Sequence, residues 1–202
     1  MWTTYLRVAL RTLDKRKGHT ALNVAGLTLG MACCLLIFQY VAYETSFDQF
    51  HAKKDRIHRA AFRLTQNGVA QNTSANVGYL FGPTVAEEVP EVVRYARIHP
   101  NYGEAVVSYR EGPTDRTFTE GEVLFVDSTF LRMFDFPLVA EDEARALTEP
   151  HTMLVSETMA RKYFGDENPV GKALSFTGWV DETYTVAGVL ADVPPTSHLR
   201  FN

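Results

Sequence analysis

The sequence predicts an α+β extracytoplasmic domain of short strands and helices, following one N-terminal transmembrane helix. Three observations carry this. Residues 21–43 (ALNVAGLTLGMACCLLIFQYVAY) contain no Asp, Glu, Lys, Arg or His. As a helix they would reach about 35 Å, enough for a hydrocarbon core of about 30 Å with some tilt, and only a helix satisfies its own backbone there. The charge is split around this stretch: residues 1–20 hold five basic side chains against Asp14 alone, while residues 44–202 hold 15 basic and 23 acidic residues, a net −8. Beyond residue 57, strand-like and helix-like segments alternate with turn residues between them, which is the pattern of a mixed domain.

The expected organisation is a cytoplasmic amphipathic basic helix at 1–20, a transmembrane helix at 21–43, a stalk at 44–56 and an external domain at 57–202. In the first segment Trp2, Tyr5, Leu6, Ala9, Leu10 and Leu13 recur on one helical face, with Val8 the apolar exception off it. Arg7, Arg11 and Lys15, together with Arg16 and Lys17, supply the opposite charge. Such a helix before a span fits an interfacial position on membrane lipid. Basic residues beside one end of a span keep that end in the cytoplasm, so the large acidic part lies outside. A cleaved signal peptide fits poorly: the apolar core exceeds the roughly 7–15 residues of such peptides, and Val41-Ala42-Tyr43 lacks the small-x-small cleavage pattern.

Within the span Gly26 and Gly30 form a GxxxG, a spacing that lets another helix approach closely. Cys33 and Cys34 are adjacent, point in different directions and read as packing residues; residues 44–202 have no cysteine, which excludes a disulfide-stapled module. Glu44 and Asp48 mark the exit into water, and Phe47 and Phe50 are expected at the interface or tucked into the domain; the segment through Arg56 is too polar for a Gly/Ser hinge, and these five residues are assigned to coupling of the span to the domain.

The elements expected next are a strand at 57–65, a helix at 76–88 with Pro83 near its start and a strand at 92–98. A hairpin of 104–109 with 116–119 turns around residues 111–115, and a strand follows at 122–126. Ser128 is assigned as N-cap of a helix over 129–134, and Ser156 as N-cap of a helix ending near Phe164, after a strand at 152–155. Strands at 173–177 and 183–190 close around Gly178, and Pro194–Ser197 form a loop.

No catalytic constellation stands out. In FGDENPVGKAL (164–174) five residues separate Gly165 from Gly171, and Ala173 replaces the hydroxyl that a phosphate loop needs after Lys172. The six histidines show no metal-ligand spacing, Ser128, Ser156 and Ser197 have no nucleophile-elbow context, and an acidic domain without a basic stripe argues against nucleic acid. The residues therefore predict no cofactor and no enzyme. They leave open a membrane subunit of a larger assembly, a single-pass anchored periplasmic binding or sensor module, and an anchored hydrolase for which no motif speaks.

Five blocks, in order, carry a family resemblance: YLRVALRTLDKRKGHTALNVAGLTLGMACCLLI from Tyr5, ETSFDQFHAKKDRIHRA from Glu44, VDSTFLRMFDFPLV from Val126, LVSETMARKYFGDENPVGKAL from Leu154, and YTVAGVLADVPPTSHLRF from Tyr184. Together they resemble the first helix, first span and periplasmic core domain of MacB/FtsX-type ABC transporter permeases. The resemblance implies four spans per repeat, a separate ABC ATPase subunit, a periplasmic adaptor protein in some branches, a dimer of permeases, and mechanotransmission, in which cytoplasmic ATP-driven motion reaches the periplasm through the first span and stalk. It also implies the cytoplasmic (inner) membrane as location, and a chain that is the N-terminal part of a permease, its periplasmic domain continuing beyond Asn202.

Overall fold

A computed structural model describes residues 2–101, 103–111, 114–140, 147–178 and 181–201. The described chain divides into two compact units, one ending at Phe47 and the other starting at Asp48.

The first unit is two helices. α1 covers Trp2–Lys15. Arg16, at φ −118° and ψ 51°, breaks the helical run, and the Thr20 hydroxyl donates back to the Leu13 carbonyl at 3.1 Å. α2 covers Lys17–Glu44, starting before the expected span and containing all of it. It is long and apolar enough to cross a membrane, with a mean hydropathy of 2.1 over its most apolar window, and none of that window is buried against protein. A helix apolar all round and unburied in water would be unstable, so a lipid environment fits it. Its last turn closes on Thr45, whose hydroxyl donates to the Val41 carbonyl at 2.8 Å, and the Phe47 ring sets its edge against Tyr43 at 5.2 Å.

The second unit is built on a six-stranded sheet. In chain order its elements are β1 (Phe62–Gln66), β2 (Val69–Ser74), α3 (Phe81–Glu88), β3 (Ile98–Pro100), β4 (Ala105–Glu111), β5 (Thr114–Glu120), β6 (Leu124–Val126), α4 (Phe130–Met133), β7 (Leu138–Ala140), β8 (Thr152–Ser156), α5 (Glu157–Phe164), β9 (Ala173–Thr177) and β10 (Glu182–Leu190). The large sheet runs β5-β4-β9-β10-β7, with β8 also on β10. β4 and β5 pair in register from Ala105↔Glu120 to Glu111↔Thr114. β10 is the hub: its first half pairs antiparallel with β9, its second half parallel with β8, and its end with β7.

Alternation selects the buried face. Ala105, Val107 and Tyr109 of β4, Leu174 and Phe176 of β9, and Val186 of β10 point to one side, where α5 supplies Met159, Tyr163 and Phe164. α5 forms where it does because Ser156 Oγ accepts from the Met159 amide at 3.1 Å, while Glu157 sits in its first turn and Arg161 and Lys162 in its last, as the helix dipole favours. A second cluster gathers Phe130, Leu131, Phe136 and Leu190, with Phe50, Ile98, Leu138 and Leu199 packed on it.

Four expected elements differ. The strand expected at 57–65 starts only at Phe62, because it is half of a β1–β2 hairpin whose partner ends at Ser74. Asn67 and Gly68, at φ 53° and 77°, form the turn of that hairpin, the dipeptide that favours a two-residue hairpin turn most strongly. The helix expected at 76–88 is confined to Phe81–Glu88. The strand expected at 92–98 contributes only Ile98, because its backbone is used elsewhere: the Arg97 amide donates to Asp127 Oδ2 at 2.9 Å and the Tyr95 carbonyl accepts from the Thr129 hydroxyl at 2.6 Å. Ser128 is not a cap. α4 begins one residue later, and the Phe130 amide donates to the Asp127 carbonyl. The turn residues Gly112 and Pro113 lie outside the described residues.

Candidate functional site

The residues with the most concentrated polar geometry lie at the start of the second unit, 48–57, just beyond the end of α2. Asp48 turns the chain with φ 55°, a conformation that Asp and Asn tolerate better than most residues. Its amide donates to the Thr196 carbonyl at 2.9 Å. Its Oδ1 accepts from the His198 amide at 3.0 Å, and its Oδ2 lies 2.6 Å from His198 Nδ1.

Three residues on, His51 is buried, with 4% of its surface exposed. The Asp135 amide donates to its Nδ1 at 3.0 Å, so that nitrogen carries no proton and the ring is neutral, with its proton on Nε2. Phe50, Phe134 and Phe136 surround the ring at centroid distances of 4.0, 5.4 and 5.2 Å. Burial lowers its pKa below the ordinary 6.5; Asp48 and Asp135 pull it back up, and Lys53 adds to the lowering. Asp135 returns the contact, its Oδ2 accepting from the Ala52 amide at 2.7 Å. Lys53 Nζ donates to the Arg132 carbonyl at 2.9 Å. Lys54 Nζ donates back to Gln49 Oε1, and a single 3-10 turn runs from Lys54 to Arg56. The segment is thereby held on one side by residues 132–136 and on the other by the loop at 196–198.

Of the residues assigned to coupling, Glu44 and Phe47 fall in the first unit, and Asp48, Phe50 and Arg56 in the second. Asp48 and Phe50 meet partners far along the chain, whereas the Arg56 amide donates locally, to the Lys53 carbonyl. Arg7, Arg11, Lys15, Arg16 and Lys17 are exposed on the two helices, as are Gly26 and Gly30, which have open space where a Cβ would stand. Sequence reasoning missed His51, Asp135 and His198. Their partners lie 84 and 150 residues apart, so no local pattern joins them; the one hint was that Phe50-His51 and Ser197-His198 both fall in the blocks quoted above.

The remaining charged clusters are committed to structure. Buried Glu120 accepts from Lys162 Nζ at 2.5 Å and from the Tyr163 hydroxyl at 2.8 Å, and burial together with this carboxylate raises the Tyr163 pKa. Arg97 chelates Asp127 through Nε and Nη2; burial alone would raise the Asp127 pKa, but these bonds outweigh it and hold it low. Lys172, the lysine of the loop tested for phosphate binding, bonds Glu167, Tyr109 and Glu111, and β9 rather than a helix follows Gly171. Among the described residues no group of three or more His, Cys, Asp or Glu is placed to hold a metal. Shallow depressions among the described residues include two beside polar side chains. One of about 230 Å³ lies beside Thr158, Asp192 and Arg200; one of about 130 Å³ lies beside Asp48, His51 and Leu199, where the Asp48 carboxylate and His51 Nδ1 are already engaged.

An apolar helix long enough to cross a membrane thus precedes a mixed α+β domain. The chain belongs to the family of MacB-like periplasmic core domains, whose model matches residues 20–201; this is a domain of ABC-type transporter permeases. Among solved structures it is similar to a domain of a putative permease protein from Porphyromonas gingivalis, with 31% identity, covering 56% of this chain and 50% of that one, at a TM-score of 0.45. It is also similar to the periplasmic region of MacB from Actinobacillus actinomycetemcomitans, with 18% identity, 59% and 54% coverage and a TM-score of 0.40. A third is the extracellular domain of the noncanonic ABC-type transporter YknZ from Gram-positive bacteria, with 20% identity, 45% and 50% coverage and a TM-score of 0.30. The chain spans about half the length of these solved chains. No curated protein matches it.

Proposed function

We propose that this chain is the part of an ABC-type permease that couples a separate cytoplasmic ATPase to a periplasmic domain, without catalysing a reaction itself. The observation that carries this is the family match running from the end of the basic segment through the span into the domain, together with the short, hydrogen-bonded segment that follows α2. A helix that enters a domain through Gly/Ser slack would lose its motion in the linker; one that enters through bonded backbone passes it on.

In this reading Arg7, Arg11, Lys15, Arg16 and Lys17 hold the N-terminus at the cytoplasmic face, as basic residues beside a span do, and α1 rests on membrane lipid. Gly26 and Gly30 receive another span. Glu44, Phe47, Asp48, Phe50 and Arg56 transmit movement from α2 to the domain. The permease works as a dimer and meets a periplasmic adaptor protein. The test is purification of the full chain from its native membrane in mild detergent after brief cross-linking. The expected result is co-purification of a nucleotide-binding subunit whose ATP turnover follows the chain through the column. Recovery of the chain with no ATPase, cross-linked or not, would overturn the proposal and favour an anchored sensor.

A further inference from the structure

The two contacts that hold residues 48–53 differ in kind. At His51–Asp135 the His51 ring is buried among three phenylalanines and accepts from the Asp135 amide, while the Asp135 carboxylate accepts from the Ala52 amide nearer the surface, so two bonds tie the same two segments. The Asp48–His198 contact is open to water, with the His198 side chain 71% and the Asp48 side chain 36% exposed. Polar contacts in water exchange partners at little cost, because water replaces each lost bond; buried ones do not. The loop that receives Asp48 is itself firm: Ser197 is fully buried, its amide donates to the Pro194 carbonyl and its hydroxyl to the Leu199 carbonyl.

We infer that Asp48 and His198 form a releasable latch between the residue that follows the exit of α2 and the loop at 194–199, and that His51–Asp135 is the fixed anchor about which the opened segment turns. The latch gives the first residues of the domain two states, docked and released, while the domain stays attached three residues later. Its mechanical purpose rests on the coupling role proposed above; its existence does not. The backbone prepares it, since Asp48 holds a left-handed conformation that only a few residue types accept, and in that conformation its amide and both carboxylate oxygens engage the same loop.

Hydrogen exchange of the full chain in lipid nanodiscs tests the latch without any partner. Asp48→Gly removes the carboxylate and leaves the left-handed backbone accessible; His198→Ala removes the ring that faces the Asp48 carboxylate. Each should speed exchange at amides 48 and 198, by roughly ten- to a hundredfold for Asp48→Gly, the loss expected for charge-assisted hydrogen bonds. Amides 52 and 135, at the anchor, should keep wild-type rates, and the double variant should exchange no faster than Asp48→Gly alone. Asp48→Asn, which keeps one acceptor, should restore protection at amide 198. Unchanged rates at 48 and 198, additive effects in the double variant, or equal loosening at 52 and 135 would each overturn the inference. Because no ATPase enters this measurement, its failure is separate from a failure to co-purify one.

Discussion

Replacing His51 by Ala strips the anchor of its centre. Truncating a well-packed aromatic in a core costs about 3–5 kcal/mol, and the imidazole is smaller than a phenyl ring, so its packing share lies toward the lower end. The substitution also leaves the Asp135 amide without the ring nitrogen that accepts from it; a buried donor left unsatisfied costs about 1–3 kcal/mol, less where water enters. A loss of about 3 kcal/mol in apparent stability is expected, read from the urea midpoint of far-UV circular dichroism on the full chain in detergent. The ring also makes the domain pH-dependent. Burial puts its folded-state pKa below 6.5, so between the two values the unfolded chain binds more protons than the folded one. The stability His51 supplies is therefore complete above about pH 6.5 and is lost as pH falls through the folded value. His51→Asn offers the Asp135 amide a carbonyl oxygen in place of Nδ1 and cannot titrate. It should flatten the stability profile between about pH 6.5 and 5, above the range where carboxylates dominate. A His51→Ala cost under about 1 kcal/mol, smaller than a typical core truncation, or an Asn variant with the wild-type pH slope, would refute the anchor.

Two further outcomes are expected. Ser156→Ala should cost about 1 kcal/mol by removing the cap of α5, seen as a lower urea midpoint, whereas Ser128→Ala, at a position with no capping role, should leave it unchanged. Replacing Lys15, Arg16 and Lys17 together by Ser should weaken the inside preference of the N-terminus, read as a mixed orientation by protease accessibility of an N-terminal tag in sealed vesicles.

The parts legible in the sequence are those specified locally. The apolar run of α2, the Ser156 cap with charges matched to the dipole of α5, and the alternating β4 and β9 each carry their own instruction. The misreadings fall where the backbone is claimed from a distance. Residues 92–97 look like a strand, yet Thr129 and Asp127 take the Tyr95 carbonyl and the Arg97 amide. Thr129 spends its hydroxyl on that contact, and neither it nor Ser128 caps α4. The segment after α2 belongs to the same class: Asp48 reads from the sequence as an exit residue, but its partner His198, and Asp135, the partner of His51, meet the segment only once the chain has folded back. The Asn67-Gly68 turn was a different failure, since its signal was local and present.

The position of β10 has a bearing on how the chain acquires its structure as it is made. Synthesis proceeds at about 5–20 residues per second and earlier regions fold first where they can. Here the strand that joins β7, β8 and β9 is the last of the described strands to emerge. Until it arrives, β7 and β8 have no ladder partner in the large sheet and Leu190 is missing from the second cluster. The apolar helix leaves the ribosome some 140 residues earlier. Emergence of the apolar helix and closure of the domain are thus separated in time, and the half-made domain waits with its sheet open, the interval in which a chaperone has most to do.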